Sequence, residues 1–185
     1  MANAMKKNTA KRKDILNTAV SLYYERGFNS IGVDRIILES NVAKMTYYKY
    51  FPAKVDIYEA CLDHEITEIK SGLLDAIDSL PESDYLDQLD TVLNWFYSRS
   101  HAADYKGMLY QKAKAELFDD SCILIIDEYY AWLNQLVCDL LFNACISNYK
   151  LKTNFIITLI DGMLQRPHLM TFNELKDILH TVLKS

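Results

Sequence analysis

Glycine and proline are scarce, five and three residues in a chain of 185. The turn signals that would separate a series of short strands are missing with them, so the economical expectation is an all-α chain. The four cysteines, Cys61, Cys122, Cys138 and Cys145, contain no C-x-x-C pair. In a reducing compartment they read as thiols filling small core spaces rather than as a disulfide scaffold. Apolar runs such as Cys122 to Ile126 are far too short to cross a bilayer. No apolar stretch follows Lys6, Lys7, Lys11, Arg12 and Lys13 as a secretory signal would require. The expectation is a cytoplasmic protein with no membrane partner. A nucleophile elbow, a glycine-rich phosphate loop and an H-E-x-x-H pair are also absent, so no catalytic residue, metal or cofactor is assigned and no enzyme is expected. Cys61 and His64, three apart, are two metal ligands without obvious partners, and His101, His168 and His180 stand alone in the sequence.

What is present is a chain with half its residues hydrophobic and 24% charged, enough to build a real core in one ordinary domain or two small ones. The net charge of −5 hides an asymmetry. Residues 1–54 hold ten Lys/Arg against four Asp/Glu, a net of +6, and residues 55–185 hold ten against 21, a net of −11. A basic first third on an acidic remainder suggests that the first segment meets a polyanion while the rest does something else. The division expected is into residues 1–54 and residues 55–185.

Helical periodicity supports that division. Ile15, Ala19, Leu22 and Tyr23 occupy one face of a helix over Lys11 to Arg26, and Gly27 follows where a left-handed cap is needed. Val33, Ile36, Ile37 and Ser40 give a second helix of about two turns, ended at Asn41, a residue that tolerates positive φ. Ala43 to Tyr50 form a third, and Pro52 opens a fourth through Tyr58, Cys61, Leu62 and Ile69. Three compact helices ahead of a long one have the spacing of a helix-turn-helix.

The residues themselves carry a family resemblance. Gly27-Phe28, Val33-Asp34-Arg35-Ile36 and the run from Asn41 to Lys54 resemble the DNA-binding domain of the TetR family of bacterial regulators. The family pattern there is roughly G-V-S-K-G-T-x-Y-x-Y-F-x-x-K, and the chain keeps Val42, Lys44, Thr46, Tyr48, Tyr50, Phe51 and Lys54. The resemblance covers residues 10 to 60. Four positions depart from it. Asn41 replaces the turn glycine, and Ala43 replaces a Ser or Thr cap, a change typically costing about 1 kcal/mol. Gly32 stands where Ser or Thr caps the preceding helix, and Tyr47 where Leu is frequent.

A recognition helix in the major groove turns its N-terminal residues toward base edges and its flanks toward phosphates. On that logic Lys44 and Lys49 are candidate base readers and Met45 a contact for a thymine methyl. Thr46, Tyr48 and Tyr50 offer hydroxyls to phosphate oxygens, as the resemblance implies, and Lys54 adds a cation at a helix start. Tyr47 and Phe51, with Val42, are expected on the inward side, and Tyr50 is open between packing and phosphate contact. Lys6, Lys7, Lys11, Arg12 and Lys13 are open between a minor-groove arm and a frayed terminus.

Beyond the head the chain reads as further helices, about nine in all: Tyr85 to Ser100, Tyr105 to Leu117, one long helix from Ser121 to Asn148, then Lys152 to Gln165. A loop is marked at Leu80-Pro81-Glu82, Pro167 breaks the chain, and Thr171 with Glu174 makes a capping box for a last helix through Leu183. The resemblance implies that the last two helices, apolar through Phe155, Ile156, Leu159, Ile160, Met163, Leu164, Leu175, Ile178, Leu179 and Val182, pair with their equivalents in a homodimer on double-stranded DNA with a palindromic operator, the heads about 34 Å apart. Trp95, Tyr105, Met108, Tyr110, Tyr129 and Trp132, with Tyr97, Tyr130 and Phe142 nearby in sequence, supply aromatic and soft surface suited to an apolar or aromatic small-molecule effector, or to ordinary core. Asp127 and Glu128 would meet a cationic ligand if they faced inward and solvent otherwise. The function expected is a ligand-responsive repressor. The alternative is a helical-bundle binding protein that keeps the fold without specific DNA reading.

Overall fold

A computed structural model describes residues 2–81 and 84–184, with side chains described from Ala10 onward. Lys6 and Lys7 as side chains, and Glu82 of the expected loop, lie outside the described residues. Among those described there are nine helices and no strand: α1 (Ala2–Arg26), α2 (Val33–Glu39), α3 (Lys44–Tyr50), α4 (Lys54–Asp78), α5 (Tyr85–Ser100), α6 (Leu109–Glu116), α7 (Asp120–Asn143), α8 (Tyr149–Gln165) and α9 (Phe172–Lys184). Among the described residues no helix is long and apolar enough to cross a membrane. The chain divides into two compact units. One gathers the chain through Thr67 with Met108–Asp127, the other Glu68–Gly107 with the chain from Glu128 onward.

In the first unit α1, α2 and α3 pack on one another. Their common core is Ile15, Ala19, Leu22 and Tyr23 of α1, Ile36 of α2 and Tyr47 of α3, all buried. The larger aliphatic side chains among them are each worth about 1.5–3 kcal/mol in apolar surface removed from water. The turns follow the sequence. Gly27 has φ 76° and its N–H donates to Tyr23 O at 2.9 Å, closing α1. A β-carbon there would also run into the Glu116 carboxylate, so the position needs glycine twice over. Asn41, at φ 52°, ends α2 with Asn41 N–H on Leu38 O and Val42 N–H on Ile37 O, the paired bonds of a Schellman turn.

Glu65 of α4 reaches outside its own helix. It is 1% exposed, and its carboxylate accepts the Leu109 N–H at 2.7 Å and the Tyr110 N–H at 2.8 Å, together with the Tyr24 hydroxyl. It thereby caps the start of α6, whose own N-cap residue, Met108, makes no side-chain bond. Lys112 of α6 donates to Tyr24 O at 2.6 Å, and Glu116 accepts the Asn29 N–H at 2.9 Å.

The second unit packs α5 against α8 and α9, and α8 against α9. Leu175, Leu179 and Leu183 bury one stripe of α9 beside Ile156, Ile160 and Leu164 of α8. The capping box forms as expected: Thr171 N–H donates to Glu174 Oε2 at 2.8 Å, and Glu174 N–H to Thr171 Oγ1 at 3.3 Å. Those bonds hold the Glu174 carboxyl below its ordinary value.

Several boundaries differ from the expected ones. The first helix begins at Ala2 rather than Lys11, the fourth at Lys54 beyond Pro52, and α6 at Leu109 because the chain before it turns at Gly107, φ 90°. The long helix expected over Ser121 to Asn148 is broken: α7 stops at Asn143 and α8 begins at Tyr149. Cys145 takes φ 56° and Asn148 φ 52°. Cys145 N–H bonds Phe142 O and Ile146 N–H bonds Leu141 O, a Schellman turn built on cysteine where glycine is usual.

Candidate nucleic-acid interface

The α3 helix is seven residues long and anchored on one side only. Tyr47 is fully buried, stacked edge-on to Tyr48 at 5.4 Å and tilted against Phe51 at 5.7 Å. Tyr23, Phe28 and Tyr58 complete the aromatic floor, with ring centroids 4.5–5.6 Å apart. The hydroxyls of Tyr23 and Tyr47 are buried without a hydrogen-bond partner. Burial raises both phenols well above the ordinary tyrosine range, so they stay neutral.

With Tyr47 as the anchor, the other face of α3 is presented outward. Lys44, Met45, Tyr48 and Lys49 are exposed, Met45 at 87%, while Thr46 and Tyr50 are half-buried. An exposed methionine at the tip of a seven-residue helix has no part in the chain's own core. Lys44 Nζ lies 3.4 Å from Asp34 of α2. Lys49 rests over the Tyr50 ring at 5.8 Å and Lys54 over the Tyr58 ring at 5.2 Å. The helix starts carry no side-chain cap at Gly32 or Ala43, whereas α4 is capped from within, Ala53 N–H donating to Asp56 Oδ2 at 2.7 Å. The seven residues expected on DNA thus sit together at the α3 helix and the start of α4.

Residues 15–61 match the family model of bacterial regulatory proteins of the tetR family. That segment, about a quarter of the chain, is similar to the helix-turn-helix of the tetR family. A relative in Bacillus subtilis, the uncharacterized HTH-type transcriptional regulator YvdT, is 23% identical over 169 residues, which are 87% of this chain and 84% of its own length. Among solved structures, a TetR-family transcriptional regulator from Streptomyces coelicolor shares the fold with a TM-score of 0.83 at 23% identity, covering 95% of this chain and 93% of its own. The reduced form of NemR from E. coli does so with a TM-score of 0.78 at 21% identity, covering 94% and 95%. The matched segment is thus a helix-turn-helix of the kind that bacterial regulatory proteins carry.

The residues named for an effector fall in both units. Met108 and Tyr110 are buried in the first, beside the Glu65 cap. Trp95, Tyr105, Tyr129 and Trp132 belong to the second. There Tyr129 is fully buried and stacks toward Trp132 at 6.4 Å, Lys70 lies over the Trp132 ring at 5.2 Å, and Tyr105 donates its hydroxyl to Leu164 O at 2.8 Å. Trp95 lines a shallow groove with Asn94, Ser98 and Arg99, and a β-carbon at Gly72 would stand 2.9 Å from its ring. Asp127 and Glu128 are exposed. Among the described residues no group of three or more His, Cys, Asp and Glu could hold a metal. Cys61 is buried, which pushes its thiol up and away from the thiolate a metal would need.

The sequence reading missed the partners of charged groups in the second unit. Asp90, 8% exposed, binds Lys176 Nζ at 2.7 Å and His180 Nε2 at 3.0 Å, so His180 does not stand alone. Neither does His101, stacked on Tyr97 at 3.9 Å with His168 edge-on at 5.4 Å. Lys152 is 5% exposed and donates to Leu183 O at 3.1 Å, satisfying a carbonyl at the end of α9. Of the ten apolar residues expected to pair two subunits, Ile156, Ile160, Met163, Leu164, Leu175 and Leu179 are buried within this chain. Phe155, at 37% exposure, and Leu159 line a groove of about 460 Å³ along α8 and α9 together with Leu169, at 66%.

Proposed function

We propose that the protein is a dimeric, ligand-responsive repressor that binds a palindromic operator in double-stranded DNA in the cytoplasm and is released by a small apolar or aromatic effector. The observation that carries it is the one-sided anchoring of α3, with Tyr47 inward and Lys44, Met45, Tyr48 and Lys49 outward. Lys44 and Lys49 read guanine O6 and N7, and Met45 packs on a thymine methyl. Thr46, Tyr48, Tyr50 and Lys54 hold phosphates and fix register. On this reading residues 1–54 carry the DNA function, and residues 55–185 carry effector binding and dimerisation. The apolar groove along α8 and α9, with Phe155 and Leu169 open to solvent, supports pairing with a second copy. Trp95, Tyr105, Met108, Tyr110, Tyr129 and Trp132 supply the aromatic surface for an effector. Such a ligand releases DNA only if it prefers a different conformation, in which case operator and effector weaken each other reciprocally.

Fluorescence anisotropy of the purified protein on DNA upstream of its own gene, against a scrambled duplex at two salt concentrations, tests the reading. Tight, sequence-preferring binding that weakens steeply with salt is expected. Absence of salt-sensitive DNA binding overturns it. The missing side-chain caps at Gly32 and Ala43 favour a second reading, a TetR-fold binding protein without specific DNA reading, which equal weak binding to both duplexes would support.

A further inference from the structure

We propose that Arg12 of α1 is a phosphate-binding residue of the DNA interface, held in place by the ring of Phe51. This deepens the DNA-binding reading above and rests on it. Arg12 lies three residues before Ile15 and seven before Ala19, so it continues the inward face of α1 by one more turn. Its guanidinium lies over the Phe51 ring, 5.2 Å from the centroid. Phe51 is the residue that closes α3 and is itself 1% exposed. The cation is therefore fixed at the junction where α3 ends and α4 begins. Lys54, three residues past Phe51, is likewise held over the Tyr58 ring at 5.2 Å. Two cations from two helices thus flank one short segment, each fixed by a ring, and neither is paired with a carboxylate among the described residues.

A ring holds a guanidinium without neutralising it. The ring takes up none of the guanidinium's N–H groups as an acceptor would, so they remain available to fork onto two oxygens of one phosphate. The side chain is also ordered before DNA arrives, which lowers the entropy lost on binding. Lys11 and Lys13 are exposed on either side and reinforce the local field. The backbone around Arg12 is helical from Ala2 onward, so the guanidinium is carried on a helix face.

The test is the salt dependence of binding to one operator duplex and one scrambled duplex by wild type, Arg12→Gln and Arg12→Lys, with thermal melts of all three. For Arg12→Gln, loss of one phosphate contact should reduce the slope of log K against log salt by about 0.9. Affinity should fall roughly three- to tenfold on both duplexes, leaving their ratio unchanged. Arg12→Lys, which keeps the charge, should leave the slope at its wild-type value. If Arg12 only shields Phe51, both variants melt earlier and neither changes the slope, and the proposal is overturned. If wild type itself shows no salt-dependent binding, the DNA reading fails with it. A normal wild-type slope with an unchanged Arg12→Gln slope sinks this inference alone.

Discussion

Cations are handled differently at the two ends of the chain. In the head, Arg12, Lys49 and Lys54 rest on the rings of Phe51, Tyr50 and Tyr58. In the α8–α9 region, Lys176 and His180 are tied to the Asp90 carboxylate and Lys152 to the Leu183 carbonyl. A ring orients a positive charge and leaves its field intact, whereas a carboxylate cancels it. The first arrangement keeps charge in reserve for an external polyanion, and the second uses it to hold α9 in place. Lys44, paired with Asp34 at 3.4 Å, and Arg35, paired with Glu39, are exceptions within the head.

The comparison breaks most visibly at Asp90. Asp90→Ala leaves Lys176 and His180 without their shared acceptor and should cost about 2 kcal/mol of stability, less than a fully buried pair because both side chains are partly exposed. Urea unfolding should show that loss while operator affinity per folded molecule stays at the wild-type value. Lys54→Ala should do the reverse, weakening operator binding about tenfold, roughly 1.4 kcal/mol, with an unfolding midpoint close to wild type. Equal losses in both assays would erase the distinction between the two ends. Asp34→Asn sharpens the first exception: freeing Lys44 and removing a negative charge from the DNA-facing surface should tighten binding to scrambled DNA by about two- to fivefold and so lower the specificity ratio. The smallest effect concerns pH. The Glu174 carboxyl is held below its usual value by its bonds to Thr171, so its support for α9 is complete above the unfolded pKa, about pH 4.3. That support is lost as pH falls through the lower folded value. Acid unfolding of Glu174→Gln should therefore depend less steeply on pH than that of wild type.

Features encoded within a few residues of themselves were legible in the sequence. Gly27 and Asn41 announced their turns, Thr171 and Glu174 their box, and the spacing around Tyr47 separated the inward from the outward side of α3. The turn at Cys145 was not legible, because cysteine carries no turn preference, yet this exposed residue takes φ 56°. Asp90 with His180 and Glu65 with Leu109 lie 90 and 44 residues apart, and periodicity cannot choose such partners. Composition likewise could not sort the aromatic residues named for an effector, since Met108 and Tyr110 belong to a different unit from Trp95 and Trp132.

The Glu65 cap also bears on the order in which the chain assembles. An eight-residue helix is too short to persist alone in water, and the N-cap residue of α6, Met108, supplies no capping side chain. Its first N–H groups find their acceptor only when α4 has brought the Glu65 carboxylate to them. Nucleation of α6 is therefore non-local: the helix is a late event, conditional on a loop of more than 40 residues having closed.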